Sequence, residues 1–160
     1  MDRATTQLPR IPIASGDPAG IGPKISVKAA LDTQVRRMCR PLVVGDPMVL
    51  ETHARAARVA MPLHVVTAPR AADWTSDAVN LLAVPMPERA EVKFATNDAA
   101  YGQAALANCG RAIRAALDGD VEAVVAAPQT RLQSRRRIFR STGTRRSSLA
   151  KLGGTCTTFS

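Results

Sequence analysis

Aromatic side chains are scarce in this sequence, whose 160 residues include one Trp, one Tyr and three Phe. A hydrophobic core must therefore be built mainly from Ala, Val, Leu and Ile. Hydrophobic residues nevertheless make up 46% of the chain, which suits a globular protein. A chain of this length can form one ordinary domain with a core of its own.

Long apolar runs and paired cysteines are also missing. No segment approaches the roughly 18 apolar residues of a membrane-spanning helix, and the start MDRATTQLPR lacks the apolar region of a signal peptide. We therefore expect a cytoplasmic protein with no membrane partner. The cysteines Cys39, Cys109 and Cys156 are odd in number and form no C-x-x-C pair, so neither a disulfide framework nor a zinc site is indicated.

Acidic residues are absent from the last 30 positions, and this absence explains the net charge of +9. Residues 1–130 hold 14 basic and 13 acidic side chains, whereas residues 131–160 hold seven Arg, one Lys and no acid. A basic chain ordinarily suggests a nucleic-acid partner. Here the distribution instead predicts a nearly neutral body, residues 1–130, followed by a basic tail, residues 131–160, that does not fold on its own.

Short apolar runs alternate with helix-like segments along the body. The predicted buried strands are Ile11–Ala14, Leu42–Val44, the runs PLHVV and NLLAVP, and Ala123–Ala126. Continuous apolar runs are typical of strands that are covered on both faces. The pattern predicts an α/β fold with a largely parallel and incomplete sheet.

Helix signals lie between these strands. Pro23 is suited to the first turn of a helix, and Asp46-Pro47 is an N-cap followed by proline. A later segment begins with cap-type residues, carries an apolar stripe at helical spacing and stops at Gly119. The members of that stripe are Leu106, Gly110, Ile113 and Leu117.

The stretch SGDPAGIGPK joins the first strand to the first helix. Its spacing, G-x-x-x-G-x-G, matches neither the dinucleotide fingerprint nor the P-loop. Glycines permit positive φ or close approach, and free N–H groups at a helix start favour an anion. A tight turn without a ligand explains the same residues equally well. Because ligands of parallel sheets bind at the carboxyl ends of strands, the candidate places are Gly16–Pro23 and Ala127–Thr130.

Three segments together resemble the 4-hydroxythreonine-4-phosphate dehydrogenase family: SGDPAGIGPKISVKAAL, LVVGDP, and AAYGQAALANCGRAIRAALDGDVEAVVAAPQT. The resemblance covers residues 11–130 and is weakest between Pro62 and Lys93. It implies a fold similar to isocitrate and isopropylmalate dehydrogenases, in a dimeric protein about twice as long as this chain. The family oxidises a secondary alcohol with NAD or NADP and a divalent metal (zinc, magnesium or cobalt), with decarboxylation, in pyridoxal phosphate biosynthesis.

The resemblance carries over to particular residues. Gly16, Asp17, Pro18, Gly20 and Gly22 match the family's amino-terminal signature and are expected to line the active-site cleft or support the cofactor. Gln129 and Thr130 match a segment that binds the substrate's phosphate or carboxylate. The family's metal ligands fall beyond Thr130, so we assign no catalytic or metal residue within this chain. His53 and His64 match no family ligand and are expected to be structural or solvent-exposed.

Thr130 stands where many relatives have a histidine. A hydroxyl can donate a hydrogen bond but brings no charge, which argues against a phosphorylated substrate. The alternative is a related catabolic dehydrogenase that acts on a dihydrodiol carboxylate or another hydroxy acid.

The tail also permits a second reading frame. With suitable codons, STGTRRSSL read from the third base gives DGYPSFVA, and the stretch after Thr130 gives ETAIAAANI. Both agree with the family's usual continuation, although codon degeneracy makes such agreement easier. By resemblance, the pyridoxine-pathway enzymes have a metal-binding His at the position where the recovered segment GYPS has Tyr. This difference favours the catabolic alternative.

We therefore expect an out-of-frame tail and a truncated, inactive chain. A competing hypothesis is a nucleic-acid-binding protein that uses the Arg-rich tail on phosphates. The tail offers only two aromatic residues, Phe139 and Phe159, to stack on bases, so this hypothesis is disfavoured.

Overall fold

The computed structural model describes residues 7–86, 92–96 and 98–129. Five strands form one sheet in the order β3-β4-β2-β1-β5, and every neighbouring pair is parallel. The predicted α/β fold with a parallel sheet is thus confirmed. The strands are β1 (Arg10–Ala14), β2 (Arg40–Gly45), β3 (Leu63–Val66), β4 (Val79–Ala83) and β5 (Val125–Ala126).

The helices are α1 (Gly22–Leu31), α2 (Thr33–Met38), α3 (Pro47–Ala56) and α4 (Ala99–Leu117), with a 3-10 turn at Pro69–Ala71. Asp46 caps α3 by accepting hydrogen bonds from the amides of Met48 and Val49, and Pro23 lies in the first turn of α1. Both predicted helix starts are therefore confirmed. Asp32 ends α1 and also caps α2, which the sequence pattern did not predict.

The core lies on both faces of the sheet because successive residues of β2 point in opposite directions. Val43 packs with α1 and α3 on one face, whereas Leu42 and Val44 pack against Ala112 of α4 on the other. No aromatic residue belongs to the buried members of these two clusters, as the composition predicted. A third cluster joins Ala19 to Val49 of α3 and to Tyr101 and Ala104 of α4, near the carboxyl ends of the strands.

Helix α4 is present as predicted, but its large apolar stripe faces outward. Leu106, Ile113 and Leu117 are exposed, as is Gly110. The buried face consists mostly of small residues: Tyr101, Gly102, Ala104, Ala105, Asn108, Ala112 and Ala115. Small side chains allow a helix backbone to approach a sheet closely, so close packing has overridden the preference for burying the larger residues.

The last strand also differs from the expectation. A buried strand was predicted over Ala123–Ala126, but β5 contains only Val125 and Ala126, and both are exposed. The exposure of Val125 and Ala126 follows from the position of the strand. Strand β5 lies at the edge of the sheet formed by the described residues, where it pairs only with β1.

Candidate functional site

The two loops that the sequence singled out lie side by side. Strand β1 ends at Ala14 and β5 ends at Ala126, and these residues are partners in adjacent parallel strands. The amide of Ala127 then donates to the carbonyl oxygen of Ala14 at 2.9 Å. The segments that follow, Ser15–Gly20 and Ala127–Gln129, therefore leave the same edge of the sheet together.

Gly16 is the point of closest approach between the two loops. It has φ of +76°, and a Cβ built on it would lie 2.6 Å from the carbonyl oxygen of Pro128. Both its backbone conformation and its surroundings therefore require glycine. At Gly22 a Cβ would overlap the carbonyl oxygen of Ser15, whereas at Gly20 it would make ordinary contacts of 3.4 Å or more.

Asp17 folds the glycine loop back on itself. The side chain is only 4% exposed, and its Oδ1 accepts a hydrogen bond from the amide of Ala19 at 2.9 Å. The amide of Gly20 donates to the carbonyl oxygen of Asp17. A carboxylate thus already lies just before α1, where the positive end of the helix dipole favours negative charge.

His53 of α3 holds the next residue of the loop. Its Nε2 lies 2.7 Å from the carbonyl oxygen of Pro18, and its ring stands nearly perpendicular to that of Phe94, with 4.8 Å between the ring centroids. The ring is 5% exposed. The His53 side chain therefore contacts the candidate site only at a backbone carbonyl oxygen of the loop, which is typical of a structural histidine. His64 lies elsewhere and contacts the carbonyl oxygen of Ala71.

Ser15, Gly45 and Asn108 form a buried junction beneath the loop that sequence reasoning missed. Asn108 of α4 donates from Nδ2 to Oγ of Ser15 at 3.2 Å. A Cβ at Gly45, the last residue of β2, would come 2.5 Å from the same hydroxyl oxygen. The one sequence signal for Asn108 was a polar residue at four-residue spacing between the small residues Ala104 and Ala112. Nothing in the sequence linked it to Ser15, 93 positions away.

Gln129 is half-buried and turned toward α4. Its Nε2 donates to Sγ of Cys109 at 2.7 Å. Burial raises the pKa of the Cys109 thiol above its ordinary value, and the hydrogen bond from Gln129 opposes that shift to a lesser degree. In this arrangement the thiol stays protonated near neutral pH and is a poor nucleophile. Thr130, the other expected substrate residue, and the basic tail lie outside the described residues.

The described residues do not form a metal centre. Over residues 7–86, 92–96 and 98–129 there is no group of three or more His, Cys, Asp or Glu side chains that could hold a metal ion. This part of the chain therefore does not provide the metal-binding side chains that the family resemblance implies. Within the same residues, no helix has the length and apolar character to cross a membrane.

A small cavity of about 50 Å³ lies at the opposite end of the sheet. It is bordered by Arg36 and Arg40, whose guanidinium groups donate to backbone carbonyl oxygens of the segment 74–78. Those hydrogen bonds hold the segment before β4 against α2, through Arg36, and against β2, through Arg40. Because this cavity faces the amino ends of the strands, it is unrelated to the two loops at the carboxyl ends.

The sequence model of the family described as pyridoxal phosphate biosynthetic protein PdxA matches residues 37–156. Among curated proteins, D-threonate 4-phosphate dehydrogenase of Cupriavidus necator is 34% identical over 122 residues, covering 76% of this chain and 36% of that protein. The 4-hydroxythreonine-4-phosphate dehydrogenase of Trichlorobacter lovleyi is 32% identical over 124 residues, covering 77% and 37%.

Solved structures of dehydrogenases are similar to this chain as well. The 4-hydroxythreonine-4-phosphate dehydrogenase of Burkholderia phymatum superposes with a TM-score of 0.75 at 27% identity, covering 80% of this chain and 38% of that one. A terephthalate 1,2-cis-dihydrodiol dehydrogenase of Burkholderia xenovorans gives a TM-score of 0.60 at 34% identity, covering 79% and 36%. The chain thus spans little more than a third of the length of these relatives.

Proposed function

Since the chain belongs to the PdxA family of pyridoxal phosphate biosynthetic proteins, we propose that its two adjoining loops form one wall of a dehydrogenase active site. The wall consists of the glycine loop, Gly16–Gly22, and the segment Ala127–Gln129. The observation that carries this proposal is the contact between Gly16 and Pro128, which joins the two loops at the carboxyl ends of β1 and β5. Open parallel sheets bind ligands at this kind of edge.

The reaction proposed for the complete site is oxidation of a secondary alcohol by NAD or NADP, followed by decarboxylation. A divalent metal, such as zinc, magnesium or cobalt, would polarise the alcohol oxygen. No step is assigned to a metal on these residues, because they hold no suitable donor group. The role proposed for the glycine loop is to fix the shape of the cleft and exclude water. Gln129 and Thr130 are proposed to bind polar groups of the substrate.

The substrate proposed first is a phosphorylated hydroxy acid or amino acid, such as 4-hydroxythreonine 4-phosphate. Two curated relatives are named for phosphorylated substrates, D-threonate 4-phosphate and 4-hydroxythreonine 4-phosphate. The second candidate is an unphosphorylated dihydrodiol carboxylate or other hydroxy acid. One observation favours it, the uncharged Thr130, and a dihydrodiol dehydrogenase is as similar to the chain, at 34% identity, as the D-threonate 4-phosphate dehydrogenase.

The remaining expectations concern the whole protein. From the family resemblance we propose a cytoplasmic homodimer that acts on a small molecule. The chain alone is proposed to be inactive because it spans little more than a third of a relative's length. Nucleic-acid binding by the Arg-rich tail is not favoured. Residues 1–130, with 14 basic and 13 acidic side chains, add almost no net positive charge to that of the tail.

A chimera tests the proposed function directly. Residues 1–129 of this chain would replace the matched segment of the Cupriavidus necator D-threonate 4-phosphate dehydrogenase, and NAD or NADP reduction would be followed with and without a chelator. We expect chelator-sensitive oxidation of a hydroxy acid. A soluble, folded chimera without activity on any phosphorylated or unphosphorylated hydroxy acid would contradict the proposal.

The same chimera can separate the two substrate classes. It would be made with Thr or with His at position 130. If the natural substrate carries no phosphate, the Thr form should prefer unphosphorylated hydroxy acids, and Thr130→His should raise kcat/KM for the phosphorylated substrate by about tenfold or more, since hydrogen bonds to charged groups contribute about 1.5–3 kcal/mol. If both forms discriminate equally between phosphorylated and unphosphorylated hydroxy acids, position 130 does not select the substrate.

A further inference from the structure

Three pairs of chain neighbours contact one another in a closed ring at the candidate site. One pair begins the glycine loop, one ends the segment after β5, and one lies in the middle of α4. Each pair contacts both of the others, so the ring has no open end. The pairs are Ser15-Gly16, Pro128-Gln129 and Asn108-Cys109.

Helix α4 supplies two consecutive side chains to this ring. Asn108 donates from Nδ2 to Oγ of Ser15 at 3.2 Å. The next residue, Cys109, accepts through Sγ from Nε2 of Gln129 at 2.7 Å. Consecutive residues of a helix differ by about 100° in direction, so a single turn of α4 reaches both loops.

The strand order explains why one helix can hold both loops. Helix α4 covers β1 and β2, because Ala112 packs with core residues of both strands. Strand β5 is the neighbour of β1 on the side away from β2. Asn108 reaches toward β2, where its Nδ2 lies 3.8 Å from the Cβ position of Gly45, and Cys109 reaches toward the segment after β5.

The members of the ring have little freedom to move apart. Ser15 and Asn108 are 2% and 3% exposed. A Cβ at Gly45 would come 2.5 Å from the hydroxyl oxygen of Ser15, so glycine at this position leaves room for that hydroxyl. A buried polar group that loses its partner is destabilised, and this cost keeps the bond between Asn108 and Ser15 formed.

We propose that Asn108 and Cys109 are positioning residues that set the spacing between the two loops of the proposed active-site wall. Asn108 acts through Ser15, at the start of the glycine loop, and Cys109 acts through Gln129, which is proposed to bind the substrate. Neither α4 residue is assigned a contact with substrate or cofactor. The catalytic consequence of this arrangement rests on the proposed dehydrogenase function.

Hydrogen exchange in the 160-residue chain, followed by NMR, tests whether the ring acts as one unit. Cys109→Ala removes the contact with Gln129, yet it should also speed exchange at the amide of Ser15 by about twofold to tenfold, the range expected for loss of one hydrogen bond. Asn108→Ala should likewise speed exchange at the amide of Ala127. Both amides donate to carbonyl oxygens of neighbouring strands, at 3.0 and 2.9 Å, so their protection is measurable.

Asn80→Ala is the matched control for these exchange measurements. It removes another buried amide, which bonds to Asp73 at the opposite end of the sheet. It should not speed exchange at Ser15 and Ala127 more than at other amides of the sheet. If Cys109→Ala acts only near its own partner, or if the control gives the same pattern, the proposal is overturned.

The chimera with the Cupriavidus necator enzyme measures the catalytic consequence. In it, Asn108→Ala and Cys109→Ala should each lower kcat per folded molecule by about tenfold or more, because small displacements of groups that position a substrate are costly in rate. KM should change less than kcat. The double variant should cost little more than the worse single variant, because opening the ring at one point or at two points releases the same loops.

Cys109→Ser tests the hydrogen bond by rescue. A serine hydroxyl can also accept from Gln129, so this variant should retain most of the kcat that Cys109→Ala loses. Asn80→Ala should leave kcat per folded molecule unchanged. An equal loss in the control, or no loss in either α4 variant, overturns the proposal. An inactive chimera without any substitution would instead contradict the proposed function, and exchange in the 160-residue chain would still decide whether the ring acts as a unit.

Discussion

Gly16 and Pro128 approach so closely that a Cβ on Gly16 would lie 2.6 Å from the carbonyl oxygen of Pro128. The two residues are far apart in the chain and meet because β5 pairs with β1. The contact joins the glycine loop to the segment after the last described strand. It is thus the structural link between the two halves of the candidate site.

Gly16→Ala should lower the free energy of unfolding by more than about 2 kcal/mol. A positive φ costs an L-residue about 1–2 kcal/mol, and the new methyl group must also displace Pro128. Urea unfolding monitored by circular dichroism would measure the loss. Gly119→Ala is the matched control, since Gly119 has the same φ of +76° but open space around it. If both substitutions cost the same, the contact with Pro128 does not contribute.

Asn108→Ala should loosen the glycine loop and lower stability by about 1–3 kcal/mol, because a buried hydroxyl loses its hydrogen-bond donor. Hydrogen exchange should show faster exchange at the amides of Ser15 and Asp17. Asn80→Ala removes another buried amide, which bonds to Asp73 instead of to the loop. That control should destabilise the fold without a selective effect on the loop, and an identical exchange pattern in both variants would refute the role of Asn108.

The Arg10–Glu122 ion pair should make stability depend on pH in the acidic range. The hydrogen bond from Arg10 lowers the pKa of Glu122 below its ordinary value. A carboxyl whose pKa is lowered by folding stabilises the protein above its unfolded pKa, about 4.3, and loses this contribution as the pH falls through its lower folded value.

Glu122→Gln should therefore cost stability at pH 7 but little at pH 3. Because both side chains are substantially exposed, the cost at pH 7 should not exceed about 1 kcal/mol. Urea unfolding of both proteins across this pH range provides the measurement. A difference that stays constant with pH would show that the charge of Glu122 is not the cause.

The isolated 160-residue chain should not reduce NAD or NADP with a hydroxy acid, even with added zinc, magnesium or cobalt. Hydride transfer requires alcohol and nicotinamide to be held in near-contact geometry, and the described residues are proposed to form only one wall of that site and contain no metal donor group. Absorbance of the reduced cofactor provides the assay. Chelator-sensitive cofactor reduction by the purified chain, free of any longer relative, would disprove this prediction.

Sequence patterns identified the local structure well where the signals are local. The N-cap Asp46, the first-turn Pro23 and the short runs of β-branched and aliphatic residues each determine the backbone within a few residues of themselves. The fold class followed from the alternation of these elements. The rule that ligands bind at the carboxyl ends of strands also selected both loops, and the structure places them together.

The partners of those residues could not be predicted in the same way. The bond between His53 and Pro18 crosses 35 positions, and that between Asn108 and Ser15 crosses 93. Such pairs depend on the strand order and on the helix that covers each sheet face. A single sequence carries no direct signal of either.

By itself, the sequence determined the starts of α1 and α3, the largely parallel character of the sheet, and the presence of a glycine-rich loop between β1 and α1. Caps, prolines and apolar runs act over a few residues, so they can be recognised without a structure. Tertiary structure alone decided that Gly16 meets Pro128 and that α4 buries its alanines while Leu106, Ile113 and Leu117 face outward. The reason is geometric: a helix packs closely against a sheet through small side chains, and that preference depends on what the neighbouring strands present.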